Sequence, residues 1–409
     1  MNKFSVTLGA VVAALLPALA PQSAQAKFSI PGYELVYNPP VETTLTAPDL
    51  RSTAEVWEEM IDNAKTRIDF GQFYASSQAG SLLDDVIKHL RAAGERGVKI
   101  RFMHEAGVDF SYPETLQELQ TIPNLELRPI TYADIAGGIH HAKYFVVDGK
   151  VAYVGSANFD WRALEHIHET SLRIDDPTTV SQLQSIFNLD WGMAGELADG
   201  EKVFPIQQVP LRTASLGNYL VASPYAYDPD GVPDSQTEVV RLLVNAKSTV
   251  RVQVMTYSPV SFGDTNVTYY AVLDNALRAA ATRGVHVQLL VDSRNLDGLD
   301  ANWVRSLAMV RNVEVKAAKI PEASVGPIPF ARLIHSKFMT IDGKIAWVGT
   351  SNWAGGYMDN SRNLEIVMHN DAMAARLDQL FLQLWDSQYT YGVLNQDQNA
   401  QTENTAQTE

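Results

Sequence analysis

The sequence predicts an α/β protein of two similar halves, each a mixed β-sheet flanked by helices, that meet in one pseudo-twofold active site. Two observations carry this. His141, Lys143 and Asp148 form a His-x-Lys-x-x-x-x-Asp motif that recurs at His335, Lys337 and Asp342. Each copy leads into a Gly-containing turn and an Asn, Gly155-Ser-Ala-Asn158 and Gly349-Thr-Ser-Asn352, and then to a Glu, Glu169 or Glu365. The repeat also extends beyond the motifs. Asn63-Ala-Lys-Thr66 matches Asn245-Ala-Lys-Ser248, and Leu90-Arg-Ala-Ala-Gly-Glu-Arg-Gly-Val98 matches Leu277-Arg-Ala-Ala-Ala-Thr-Arg-Gly-Val285. In each half the order helix, strand, helix, strand, hairpin implies a sheet covered by helices.

Taken from the N-terminus, residues 1–26 read as a signal peptide. A short apolar run, Phe4 to Ala20, follows Lys3, and Ala24-Gln25-Ala26 has the small-residue form of a cleavage site, placing the mature start near Lys27. This predicts a secreted or periplasmic protein; the rival reading is an uncleaved signal anchor, against which stand the well-formed Ala-x-Ala and an apolar run short for a span. Ser52-Thr-Ala-Glu55 is a capping box ahead of Val56, Trp57, Met60 and Ile61 at helical spacing. Ser81 opens a second helix with Leu83, Val86, Ile87 and Leu90 on one face. Strand-like runs follow each repeat, at Ile68 to Tyr74, Val98 to Phe102, Val250 to Tyr257 and Val285 to Val291. The first half is expected over 27–205 and the second over 206–391. The stretch Gly200 to Ser223, with Pro205 and Pro210, reads as the bridge between them. The Gln-, Asn- and Thr-rich stretch 392–409 reads as a disordered polar tail.

The motif residues suit phosphodiester chemistry. His141 and Lys143 are two apart, as are His335 and Lys337, so each pair faces one way on extended chain. Lysines neutralise non-bridging oxygens, and Asn158 and Asn352 add hydrogen-bond donors. One imidazole can attack phosphorus while the other protonates the leaving oxygen. Histidine titrates near neutrality, so one copy can be neutral while the other is charged. Glu169 and Glu365 are expected to fix the imidazole tautomers by accepting the second N–H. Asp148 and Asp342 read differently. Each precedes Gly between two apolar alternating runs, which is a hairpin signal. Each also lies an odd number of residues from its Lys and so faces away from it. Both read as structural.

These residues resemble the phospholipase D superfamily, whose members carry two such motifs and work through a phosphohistidine. The flanking runs Gly155-Ser-Ala-Asn-Phe-Asp-Trp-Arg162 and Gly349-Thr-Ser-Asn-Trp-Ala-Gly-Gly-Tyr357 are most similar to the branch holding the animal lysosomal phospholipase-D-like 5′ exonucleases and the poxvirus proteins. The resemblance runs from about Pro40 to Trp385. It implies the phospholipase D fold and attack by the first-half His141. Two Lys and two Asn can take the place of divalent ions at the phosphate, and no carboxylate cluster suited to Mg²⁺ is evident, so no metal cofactor is expected. The animal members are rich in disulfides, whereas this chain has no Cys.

Composition narrows the function. The formal charge of −15 argues against a nucleic-acid coat protein and against docking on anionic membranes, while leaving room for a local cationic pocket. His166 and His168 lie two apart, but no second His pair and no Cys supports a zinc site. Phe159, Trp353 and Tyr357, close behind the motif Asn residues, are the candidates to stack a base or meet an acyl glycerol. The expected activity is phosphodiester hydrolysis, with single-stranded nucleic acid as the first substrate and phospholipid as the alternative. A phosphatidyl or nucleotidyl transferase and a non-catalytic binding protein are the other classes. The motif set, intact in both halves, speaks against the last. No obligate protein partner is evident.

Overall fold

The computed structural model describes Met1 and residues 27–206, 217–261 and 268–394. The segment read as a signal peptide and most of the polar tail lie outside these residues.

Each half is one eight-stranded mixed sheet. The first runs in the order Ser29–Ile30, Tyr33–Asn38, Glu169–Ile174, Val151–Gly155, Tyr144–Val147, Arg67–Gln72, Lys99–Glu105, Leu125–Ile130. The second runs Tyr219–Ser223, Asn363–His369, Ile345–Gly349, Phe338–Ile341, Thr249–Val254, His286–Asp292, Val313–Ala318, Thr390–Gly392. Apart from the short edge strands Ser29–Ile30 and Thr390–Gly392, the two orders match strand for strand. In both, the last three strands of the shared order pair in parallel and the rest antiparallel.

Strand alternation explains the layering. In the hairpin Tyr144–Val147/Val151–Gly155, Tyr144, Val146, Ala152 and Val154 face a central core, while Phe145, Val147 and Tyr153 face an outer one. The second half repeats this, with Phe338, Ala346 and Val348 inward and Met339, Ile341 and Trp347 outward. The outer cores are closed by helices Thr53–Asn63 and Leu82–Glu95 on one side and Ser235–Asn245 and Val272–Thr282 on the other. The central core takes side chains from both sheets and from helices Pro177–Ala198 and Asp371–Trp385. The two halves therefore share one hydrophobic interior. No helix among the described residues is long and apolar enough to cross a membrane.

Local signals in the sequence have their physical counterparts. Ser52 and Glu55 form the reciprocal capping box, and Ser81 caps the second helix. Two boundaries differ from the sequence reading. Tyr219–Ser223, read as part of an unpatterned bridge, is an edge strand against Asn363–His369, and residues 207–216 of that bridge lie outside the described residues. Gly392, read as the first residue of the tail, ends a strand on Val313–Ala318. Thr390 and Tyr391 favour extended backbone, and the polar run begins only after Leu394.

Candidate active site

His141 and Lys143 lie in irregular chain just ahead of the strand Tyr144–Val147, and His335 and Lys337 just ahead of Phe338–Ile341. Each histidine is held by the opposite half. The His141 backbone N–H donates to the Arg362 carbonyl at 3.0 Å, and that of His335 to the His168 carbonyl at 2.9 Å. These contacts bring both imidazoles to one cavity of about 330 Å³, which Asn158 and Asn352 also line. Lys143 and Lys337 are fully buried, and each donates through Nζ to the carbonyl of its own motif histidine. That bond fixes each ammonium close to its imidazole.

Glu169 and Glu365 fill different roles. Glu169 accepts from His335 Nδ1 at 2.8 Å across the two halves, and Ser156 Oγ donates to its other oxygen. Glu365 reaches neither imidazole. Its carboxylate accepts from Ser235 and Ser351, behind the site. The residue on His141 Nδ1 is Asn363, through Oδ1 at 2.9 Å. Strand register explains the exchange. Gly155 faces Ser171 and Gly349 faces Glu365, so Glu365 is the counterpart of Ser171, and Asn363 that of Glu169. Both glycines are needed at this crossing. A Cβ on Gly349 would fall 2.2 Å from Glu365 Cγ, and one on Gly155 would fall 2.1 Å from Ser171 Oγ.

Asn363 is fixed in orientation. Its Nδ2 donates to the Tyr357 carbonyl at 2.9 Å, and Thr350 Oγ1 donates to its Oδ1 at 2.8 Å. The amide oxygen therefore faces His141, which must carry its proton on Nδ1 and leave Nε2 with a lone pair. Burial pushes both imidazoles well below the ordinary histidine value, and the two lysines push the same way. At His335 the Arg294 guanidinium lowers the value further, while Glu169, 2.8 Å from Nδ1, offers a carboxylate partner to the charged ring; the amide at His141 carries no charge. Burial lowers Lys143 strongly and brings Lys337 to about 7, against the pull of Glu169. Burial likewise raises Glu169 to about 7, with Lys337 opposing. An anion entering the cavity favours the charged form of both lysines.

The motif aspartates are far from this chemistry. Asp148 and Asp342 sit in the hairpin turns in left-handed conformation, with φ of 54° and 55°. Asp148 accepts from the backbone N–H groups of Lys65, Thr66 and Arg67, and Asp342 from those of Lys247, Ser248 and Thr249. Each ties its hairpin to the first strand of the parallel set, which is why the Asn-Ala-Lys repeat accompanies the motif.

The aromatic candidates divide. Phe159 is fully buried against Trp57, Phe70 and Phe102, and Trp353 is packed beside Trp347 in the second outer core. Neither reaches the cavity, because a residue next to Asn158 or Asn352 on extended chain faces away from it. Tyr357 does line the cavity, edge-on to His141 at 5.0 Å. Phe73, 5.3 Å from the His141 ring, and Tyr112, stacked on Tyr74 at 5.2 Å, are wall residues that the sequence reading does not single out, and Tyr74, an aromatic near the motifs that reads by default as core packing, lines the cavity as well. Their signal was position, since Phe73 and Tyr74 follow the carboxyl end of a parallel strand. His168 is buried and bonds Ser336 and Gln253. Among the described residues no group of three His, Asp or Glu side chains is gathered as a metal site requires.

The family model described as "Cardiolipin synthase, PLD-like domain" matches residues 58–191 and 239–385. The chain is 34% identical to "Phospholipase D Z" of Dictyostelium discoideum over 84% of this chain and 86% of that protein. It is 30% identical to the mouse "5'-3' exonuclease PLD4", covering 84% and 75%, and 28% identical to the "Virion nicking-joining enzyme" of vaccinia virus (strain Western Reserve), covering 83% and 84%. Among solved structures, phosphatidylserine synthase of Haemophilus influenzae shares the fold with a TM-score of 0.58 at 11% identity, over 83% of this chain and 85% of that one.

Proposed function

The chain belongs to the phospholipase D superfamily and is a phosphodiesterase of that group, and from that premise we propose that it hydrolyses single-stranded nucleic acid from an end, through a phosphohistidine on His141. The observation that carries the mechanism is the unequal pairing of the two imidazoles. His141, with Nδ1–H donated to an amide, presents the Nε2 lone pair of a neutral ring. His335, against a carboxylate, is the ring better able to hold a second proton.

In the first step the His141 Nε2–P bond forms and the P–O bond to the leaving group breaks. His335 gives its Nε2 proton to the departing oxygen, which leaves as an alcohol. Lys143 and Lys337 balance charge on the non-bridging oxygens, and the amides of Asn158 and Asn352 orient them. In the second step the now neutral His335 takes a proton from water. The resulting hydroxide attacks phosphorus, the N–P bond breaks, and both rings return to their starting states. The same sequence with an alcohol in place of water would give transfer.

The substrate reading rests on the wall. Phe73, Tyr74, Tyr112 and Tyr357 offer ring surface to a base. The formal charge of −15 disfavours contact with a long polyanion anywhere but in the pocket, and so favours strand ends. Relatives named for 5′-3′ exonuclease and nicking-joining activity fit this reading, while the relative named phospholipase D keeps a phospholipid in play. The test compares product release from a short 5′-hydroxyl oligonucleotide with choline release from phosphatidylcholine vesicles between pH 5 and 8. Release from the oligonucleotide supports the reading, and choline release beside an intact oligonucleotide overturns it.

A further inference from the structure

The pseudo-twofold symmetry of the cavity is broken at one cation. Glu105 and Asp292 are equivalent carboxylates at the ends of matching strands. Each caps the turn that follows, at Gly107 N and Arg294 N, and each accepts from the backbone leading to a motif histidine, at His140 N and Ile334 N. The residue two beyond the carboxylate is Gly107 in the first half and Arg294 in the second. Arg294 Nε is held by Asp292 at 2.7 Å, its side chain is 49% exposed, and it lines the cavity. Among the described residues its Nη1 and Nη2 have no hydrogen-bond partner. The guanidinium is thus anchored through one nitrogen at the cavity wall, with the other two left without a protein partner.

The opposite wall has the reverse character. Phe73 and Tyr74 occupy the positions that Met255 and Thr256 occupy in the second half, and Tyr112 stacks on Tyr74. The cavity therefore has an aromatic side around His141 and a cationic side around His335.

We propose that Arg294 is a subsite for a second phosphate, the one next to the scissile linkage on the leaving-group side, while the aromatic wall takes the base of the fragment retained on His141. This rests on the nucleic-acid reading above and adds a direction to it. Two free N–H-bearing nitrogens on a fixed, planar cation match phosphate oxygens in a way that one ammonium does not. A choline headgroup on the leaving side would meet like charge there.

The experiment compares cleavage of the first linkage in a 5′-hydroxyl dinucleotide, a trinucleotide, and a trinucleotide whose second linkage is an uncharged methylphosphonate. The wild type is expected to favour the trinucleotide in kcat/KM. The methylphosphonate should remove that preference by about tenfold or more, the scale of one charge-assisted contact. Arg294→Gln should shrink it by a similar factor, with no further loss when the two changes are combined. Equal loss on dinucleotide and trinucleotide in the variant, or a wild type indifferent to the methylphosphonate, overturns the subsite alone. The second arm uses unmodified protein, so it stands even if the variant folds poorly. A wild type that releases choline from phosphatidylcholine vesicles and leaves all three oligonucleotides intact overturns the nucleic-acid reading, and the subsite with it.

Discussion

Glu169 of the first half lies 2.8 Å from His335 of the second, whereas the equivalent position facing His141 holds Asn363. The two imidazoles occupy matching places and differ in what each can do with a second proton. Exchanging the partners should therefore move the two limbs of the pH profile separately. Glu169→Gln removes the charge that favours imidazolium at His335. The alkaline limb should shift to lower pH, with kcat falling on the order of 10²-fold or more. Asn363→Asp gives His141 a carboxylate, so the acid limb should shift to higher pH. Profiles of kcat between pH 4 and 9 check both, and limbs that move together would count against distinct roles.

In the unaltered protein the acid limb should fall below pH 6.5, because burial and the two lysines keep His141 neutral there. The alkaline limb reflects loss of the proton from His335, which burial and both lysines also draw below the ordinary histidine value and which an anionic substrate pushes back up, and then from Lys337, brought to about 7 by burial. The expected optimum therefore lies on the acid side of neutrality, read from initial rates on one substrate across buffers of constant ionic strength.

His141→Ala and His335→Ala should each lose on the order of 10⁴-fold or more in kcat, as when a covalent nucleophile or its proton donor is removed. Acid quench with phosphorus-labelled substrate should leave label on His141. Label on His335 would reverse the roles.

Turnover should survive excess chelator. Two lysines and two asparagines supply at the phosphate the charge neutralisation that divalent ions give other phosphodiesterases. Activity lost in chelator and regained with one added metal would point to a site outside this cavity.

Asp148→Ala and Asp342→Ala should cost stability rather than chemistry, about 1–3 kcal/mol each, since three backbone N–H groups lose a charged acceptor and Ala must hold a left-handed turn. Both carboxyls are lowered in the fold, with hydrogen bonds from the preceding segment outweighing burial. Their contribution is therefore complete above the ordinary aspartate range and is lost as pH falls through their folded values. Thermal melts of wild type and variants at pH 7 and pH 3 check this, since the gap should narrow in acid.

The motif pairs, their convergence and the structural role of the aspartates follow from short-range patterns: a spacing of two, a hairpin signal, a repeat. What crosses between halves was harder to read. Glu365 matches Glu169 in residue type, yet the 194-residue offset that relates His141 to His335 leads from Glu169 to Asn363. Residue type pointed one way and register the other, and register governs which side chain meets the imidazole. Phe159 and Trp353 lie in the outer cores for a related reason. Chain proximity to an active-site asparagine does not survive the alternation of an extended segment. Arg294 carries no motif and becomes visible only against Gly107, its counterpart.

Each motif histidine donates a main-chain hydrogen bond to the other half, and both halves close over one interior. Had these halves been separate identical subunits, every substitution would appear on both sides of the axis. A glutamate beside one imidazole would mean a glutamate beside the other, and one arginine would mean two. Covalent linkage lifts that constraint. Donor and acceptor of the proton, and head and tail of the substrate, can then be encoded at positions that an assembly of like copies must keep alike.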